Sequence, residues 1–344
     1  MRVSTALSIL ALATAGCSPT FSAGAGQPYS QPGEHLLAGE FMAVSYSGFR
    51  EGQHPDRGDG AVNPAPEEIL EDLQILVEHG FRLVRVYDSG ENSRQTLQLI
   101  EEHDLPIRVL LGIWLDAEIS NHEGCPWLDE PIPDSVLAAN TLRNMAEIQR
   151  GVELANRFSH IVIAVNVGNE ALVDWNDHMV PLPRVIEYVR EVKARIEQPV
   201  TVADNYLWWI REGRTLAEEV DFLGVHTYPQ WEGKAVDEAL EFMIENVAAV
   251  HAAIPGKPIA VLEAGWATVA SEFGDRASET QQARHYAEVM QWASQTNTTV
   301  FFFEAFDEPW KGDPNDPLGA EKHWGLFKVD RTPKDVMKRP QAPD

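Results

Sequence analysis

Basic residues are scarce in this chain: 27 Lys and Arg stand against 53 Asp and Glu in 344 residues, a formal net charge of -26. That balance argues against binding nucleic acid or an anionic membrane face through a basic patch, and leaves a neutral polymer as a permissible partner. Cysteine is scarcer still, with only Cys17 and Cys125. No disulfide framework is therefore expected, and Cys125, in the loop-like stretch Asn121 to Pro126, reads as a structural thiol rather than a nucleophile. The 11 His residues show no His-x-x-x-His spacing, so no catalytic metal is expected. A glycine-rich phosphate loop after a strand and a Gly-x-Ser-x-Gly elbow are both missing, which removes support for nucleotide cofactors and for serine hydrolysis; no cofactor is expected. Internal repeats and heptad arrays are missing too, and no composition shift divides the body of the chain.

Long apolar runs are also lacking. The one near the start, Ala6 to Ala13 after Arg2, is too short to span a bilayer as a mature helix and reads as an export signal. It ends in Thr14-Ala15-Gly16-Cys17, which resembles a bacterial lipobox, in which the Cys is lipidated and becomes the mature N-terminus; Thr14 stands where Leu is more usual. A cut after Ala13-Thr14-Ala15 is the alternative, and would release a soluble secreted protein. Residues 1–17 are thus read as the signal with Cys17 as its lipidation site, giving a cell-envelope lipoprotein or otherwise a periplasmic or extracellular protein. Residues 18–35, rich in Ser, Pro, Gly and Gln, read as a flexible tether, and residues 36–344 as one catalytic domain.

What the chain does have is alternation. Eight short β-rich runs are separated by amphipathic stretches: Phe41 to Ser45, Leu83 to Tyr87, Ile107 to Ile113, Ile161 to Val167, Val200 to Asp204, Phe222 to His226, Ile259 to Glu263 and Thr299 to Glu304. Several are continuously apolar, as parallel strands covered on both faces should be. Helices are predicted from Pro66 to Glu78, Asp134 to Phe158, Pro183 to Ile196, Val236 to Ile254 and Ser278 to Ala293. The pattern predicts an α/β fold, a single (β/α)8 barrel, with a doubly wound open sheet as the structural alternative.

On that scaffold two acids stand out by position. Glu170 follows the fourth predicted strand through Gly168-Asn169, and Glu263 ends the seventh, so both belong at the C-terminal mouth of a barrel, where reactive groups collect. Two carboxyls across one mouth are what glycosidic cleavage requires: one donates a proton to the leaving oxygen while the other, ionised, attacks the anomeric carbon. Asn169 can reach a sugar 2-hydroxyl near the nucleophile, and a carboxyl spacing of about 5–5.5 Å would give retention of configuration. Strand-end surface acids, or members of a structural ion pair, are the bland alternative.

Three segments sharpen this reading: Val167-Gly168-Asn169-Glu170, Glu263-Ala264-Gly265-Trp266, and Phe303-Glu304-Ala305-Phe306-Asp307-Glu308-Pro309-Trp310-Lys311. Together they resemble glycoside hydrolase family 17, the β-1,3-glucanase and glucanosyltransferase family. Further segments are similar in the same order: Val44 to Ser47 with Gly52 to Pro55, Leu83 to Asp88, Gly224 to Pro229, and Glu321 to Phe327. The last-strand motif is closer to the bacterial and fungal branch than to the plant one. The resemblance implies that Glu170 is the general acid/base and Glu263 the nucleophile of a retaining β-1,3-glucanase, with Tyr228, Glu308 and Lys311 around the reacting sugar. Tyr46 and Asp88, in the matching first and second strand segments, are further substrate-contacting candidates, as are Asn169 beside Glu170, His226 at the end of the sixth strand, and Trp266 and Trp310, which follow catalytic-face strands. Physically, Tyr228 can donate to the Glu263 carboxylate, and Lys311 can lower its pKa by nearby charge.

Among the ten Trp residues, Trp114, Trp175 and Trp231 are further stacking candidates, and at most one of Trp208 and Trp209 faces the cleft. His226 is expected to bind sugar hydroxyls or to orient Tyr228, unless it is a satisfied core histidine. Three other readings stay open: a β-1,3-glucan transglycosylase, a barrel glycosidase acting on another β-linked polysaccharide, and a non-catalytic glucan-binding lipoprotein.

Overall fold

The computed structural model describes residues 29–32, 39, 42–56, 60–126 and 128–338. The signal, the lipidation site Cys17 and the first part of the expected tether lie outside the described residues. Eight parallel strands pair in chain order and close on themselves: β1 (Ala43–Ser45), β2 (Leu83–Arg85), β3 (Arg108–Ile113), β4 (Val162–Asn169), β5 (Val200–Asn205), β6 (Leu223–His226), β7 (Ile259–Gly265) and β8 (Val300–Phe303). The closing pair, β1 with β8, sets Ala43 beside Phe301 and Val44 beside Phe302, which rules out the open doubly wound sheet. All eight predicted strands form. Glu263, expected as the last residue of its strand, lies within β7, because the ladder continues to Gly265 against Phe303 of β8.

The helices are α1 (Pro66–Glu78), α2 (Glu91–Glu102), α3 (Asp134–Arg157), α4 (Leu182–Lys193), α5 (Tyr206–Arg211), α6 (Arg214–Glu219), α7 (Val236–Ala253) and α8 (Glu279–Thr296). Pro66 opens α1 at a position whose N–H has no intrahelical acceptor, and Glu68 reaches back to accept from the Ala65 N–H at 2.8 Å. Gly80, at φ 92, follows its end in a conformation that suits a residue without Cβ. Ser278 caps α8 by accepting from the Gln281 N–H. Sequence reading misses α2, α5 and α6. The inward face of α2 carries Asn92, Ser93 and Thr96 beside Leu97, Leu99 and Ile100, so its apolar stripe is weak, and the other two are single short turns.

Alternation along the strands builds two cores. Val44, Val84, Val109, Val165 and Val261 face outwards against the helices, whereas Ala43, Leu83, Leu110, Ala164, Ala203, Ala260, Leu262 and Phe301 fill the barrel itself. In β2 the next inward position after Leu83 is Arg85, which delivers a fully buried cation to the layer above. At the opposite end, Tyr29 to Pro32, within the expected tether, lie against the barrel base. Gln31 donates to Ile259 O at 2.7 Å and accepts from Ile259 N at 2.9 Å, so one side-chain amide answers the unpaired start of β7.

His285 of α8 is fully buried and neither ring nitrogen has a hydrogen-bond partner among the described residues; burial pushes its pKa down from 6.5 to about 3. The unfolded chain therefore takes up a proton that the folded one refuses, and stability contributed by the neutral ring is lost as pH falls through that window. His285→Leu is expected to flatten the fall of urea-unfolding stability from pH 6.5 towards 3 by up to one proton's slope, about 1.4 kcal/mol per pH unit. Parallel pH slopes for the two proteins would contradict this.

Candidate active site

Glu170 and Glu263 meet at the mouth formed by β4 to β7, joined by a histidine. His226, the last residue of β6 and fully buried, directs Nδ1 to Glu170 Oε1 at 3.0 Å and to Glu263 Oε2 at 3.6 Å. These are two sides of a triangle, so the third side, between the two carboxylate oxygens, is at most 6.6 Å. Glu170 gets its aim from an unusual turn. Gly168 has φ 81 and Glu170 itself φ 48, a left-handed conformation that a side chain seldom adopts. The Glu170 N–H is tied to Ala203 O of β5 at 2.8 Å, and its side chain remains 19% exposed.

Glu263 is held more tightly. Arg85 donates to its Oε1 at 2.7 Å and Tyr87 to the same oxygen at 3.0 Å, while Tyr228 donates to Oε2 at 2.6 Å. Burial opposes the charge of Glu263, yet His226, Arg85 and the Tyr228 hydroxyl outweigh it and hold the carboxyl below its ordinary 4.5. Burial, and next the Glu263 charge, pushes both tyrosines well above 10, so they stay protonated and can only donate to it. Arg85 also donates to Asn169 Oδ1, which fixes the orientation of that amide beside Glu170.

A second charged cluster adjoins the first, after β8. Lys311 Nζ lies 2.5 Å from Glu304 Oε2 and 2.7 Å from Glu308 Oε2, over the face of Phe303, and Glu308 accepts from Ser47 at 2.5 Å. Burial pushes Glu304 well above the usual carboxylate range in spite of the lysine. Glu321 is raised as well, by burial and then by Glu263 and Glu170 against the pull of Lys311, so it shares the field of the two acids. Among the described residues no group of three or more His, Cys, Asp or Glu side chains is arranged to hold a metal ion.

Residues 43–325 match the BtgE/BtgC glycoside hydrolase domain. The chain belongs to this glycoside hydrolase family. Together with its relatives the match supports the assignment to glycoside hydrolase family 17 that the motifs imply. A glucan 1,3-beta-glucosidase of Arthroderma benhamiae is 27% identical over 76% of this chain and 82% of its own length. One of Schizosaccharomyces pombe is 28% identical over 50% of this chain, which spans 56% of it; an Aspergillus niger relative is spanned over only 41% of its length. Among solved structures, an endo-laminarinase from Formosa superposes with a TM-score of 0.75 at 27% identity, covering 88% of this chain and 87% of that one. A Rhizomucor miehei β-1,3-glucanosyltransferase, 24% identical, shares the fold at a TM-score of 0.64.

Within this BtgE/BtgC domain, Glu170, Glu263, Asn169, His226 and Tyr228 lie together at the mouth, whereas several other candidate positions turn away or pair elsewhere. Tyr46 is buried with its hydroxyl 3.4 Å from Asp72, under the clamp in which Arg331 grips Asp72 through two nitrogens at 2.7 Å; it packs the barrel wall and presents nothing to a substrate. Trp266 is also fully buried, donating to Arg276 O, because it turns back beneath the mouth against His285. Asp88 uses Oδ1 to accept from the Gly90 N–H and Ser93 hydroxyl at the start of α2. Lys311 neutralises Glu304 and Glu308 rather than Glu263, and the cation beside Glu263 is Arg85. His226 bonds Glu170 and stands 3.6 Å from Glu263 rather than orienting Tyr228, and its burial keeps it from sugar hydroxyls.

Trp310 is half-buried, edge-on to Phe49, and Trp114 stacks on His178. Trp175 and Trp231 are 39% and 46% exposed, whereas Trp208 and Trp209 are both buried. Sequence reading quoted Arg85 and Tyr87 without giving them a role. The signal was a lone cation in Leu83-Val84-Arg85-Val86, with Tyr87 two residues on and so on the same face.

Removing Arg85 should take from the buried Glu263 charge its closest cation, leaving His226 and the two tyrosine hydroxyls to answer it. Arg85→Met is therefore expected to lower stability by about 3 kcal/mol in urea unfolding, and adding Glu263→Gln should restore much of it. An unaffected single variant, or a double variant no better than the single, would refute this charge pairing.

Proposed function

We propose that this protein cleaves β-1,3-glucosidic linkages of a laminarin-like β-glucan by double displacement. Glu170 is the acid/base and Glu263 the nucleophile. The observation that carries the reading is the pair of carboxylates touching one buried histidine: their 6.6 Å upper bound reaches only the edge of the inverting range, roughly 6.5–9.5 Å, and admits the retaining spacing of about 5–5.5 Å. The linkage is supported by relatives named glucan 1,3-beta-glucosidase and by the endo-laminarinase likeness.

In the first step the Glu263 carboxylate attacks the anomeric carbon, the bond to the leaving oxygen breaks, and Glu170 gives that oxygen its proton. The glycosyl group is left as an ester on Glu263. Glu170, now ionised, then takes a proton from water, whose oxygen attacks the same carbon and releases Glu263. Net configuration is retained because the carbon is inverted twice. A second sugar hydroxyl in place of water makes the reaction a transglycosylation without changing either acid's task. Asn169, its oxygen held by Arg85, is suited to donate from its amine to a sugar hydroxyl, and the exposed faces of Trp175 and Trp231 suit pyranose stacking.

The proposal extends to location. The pattern of Met1 to Cys17 supports export with a lipid on Cys17 as a membrane attachment; labelled palmitate entering the wild type but not Cys17→Ser is the expected result, and no label in the wild type would overturn it.

Purified Glu263→Ala is expected to lose laminarin turnover altogether, and Glu170→Gln to lose about 10²–10⁴-fold. Undiminished turnover in either would overturn the assignment. The first-formed reducing ends, followed by NMR, should be the β anomer, and products longer than the substrate would identify sugar as the acceptor. Tyr228→Phe removes a donor that keeps Glu263 ionised, so the acid-side midpoint of kcat/KM should move up in pH.

A further inference from the structure

The turn that aims Glu170 is gripped from outside the barrel by the loop after β4. Asn176 Nδ2, with two hydrogens to give, donates to Glu170 O at 3.1 Å and to Glu170 Oε2 at 3.2 Å. Two residues on, His178 Nε2 meets Asn169 O at 2.8 Å, its ring stacked on Trp114 with centroids 4.5 Å apart. The carbonyls on either side of the Asn169–Glu170 peptide unit's left-handed residue are thus both tied to this loop. The loop in turn is pinned from the β3 side: Asn121 Nδ2 donates to Asp174 O at 2.7 Å and to Asn176 O at 2.5 Å. With His226 on Oε1 and Asn176 on Oε2, both oxygens of the Glu170 carboxyl are engaged, so its plane is set from opposite sides.

We propose that Asn176 is a positioning residue for the acid/base, holding the Glu170 carboxyl in the plane from which it protonates the leaving oxygen. The inference rests on the assignment of Glu170 above. An N–H directed at a carboxylate oxygen stabilises the charged form, and a fixed carboxyl plane directs a free lone pair at the substrate. The other groups facing Glu170 are His226 on β6, Asp204 on β5, and, through the field they share, Glu263 and Tyr228 on β7 and the loop after β6, and Glu321. Of these only Asn176 and His226 bond its carboxyl among the described residues.

The test compares laminarin, whose sugar leaving group needs a proton, with dinitrophenyl β-laminaribioside, whose phenolate leaves without one. In Asn176→Ala, kcat/KM on laminarin is expected to fall about ten- to hundred-fold while that on the aryl substrate stays within about two-fold. An equal fall on both, which is what a folding or binding role would give, or no fall on either, overturns the proposal. Asn176→Asp keeps the shape of the side chain but turns a carboxylate on Glu170. Its alkaline limb of kcat/KM on laminarin should rise by about half a pH unit or more, and an unmoved limb counts against the proposal. Glu170→Gln is read beside them: without the same substrate split there, the acid/base assignment itself fails, whereas a split there and none in Asn176→Ala refutes only the role of Asn176.

Discussion

A carboxylate kept ionised inside a barrel has to be answered from more than one side, and the upper layer of this fold is arranged around that requirement. Glu263 sits within β7, away from water, and would take up a proton if burial acted alone. Arg85 from β2, Tyr87 beyond it, Tyr228 from the loop after β6 and His226 from the end of β6 approach it from three different directions. They come from two strand ends, β2 and β6, on either side of β7, so the site exists only once the sheet has closed. The closure of β1 on β8 is therefore part of the site's electrostatics as well as of its shape.

Neighbouring charges follow the same rule. Lys311 is enclosed by Glu304 and Glu308, and it stays protonated although burial works against it, because two acids outweigh the loss of water. Lys334 pairs with Asp307, and Arg331 with Asp72, tying the segment after β8 back to α1. These pairs fix the chain that crosses the mouth, so the rim carrying Trp310 is anchored by ion pairs set in a largely buried environment. Glu170 differs: it keeps a partly exposed side chain, two hydrogen-bonding neighbours and a left-handed backbone, an environment compatible with the acid/base role proposed for it.

The strands were legible because parallel strands covered on both faces must be apolar throughout, and runs such as Ile161 to Val165 have no other use at that length. The two acids were legible because each follows such a run. Tyr46 and Trp266 were misjudged for one reason: adjacency to a strand end says nothing about which way a side chain turns, and both turn into packing, one towards Asp72 and the other towards His285. Helix α2 was missed because its inward face answers polar partners. Asn92 reaches Ser47 O and Thr96 bonds back to Asn92 O, and no apolar stripe advertises such contacts.

By itself the sequence determined the number and order of the strands, the α/β class and the family, and it singled out Glu170 and Glu263 as the candidate pair, since these depend on local periodicity and on short motifs. Only the tertiary structure decided which cation answers Glu263, that His226 touches both acids, and that Asn176 reaches Glu170. The Arg85–Glu263 and His226–Glu170 contacts join residues 178 and 56 positions apart, a pairing set by barrel closure and strand register, whereas Asn176 lies 6 positions from Glu170 and reaches it through the left-handed turn there.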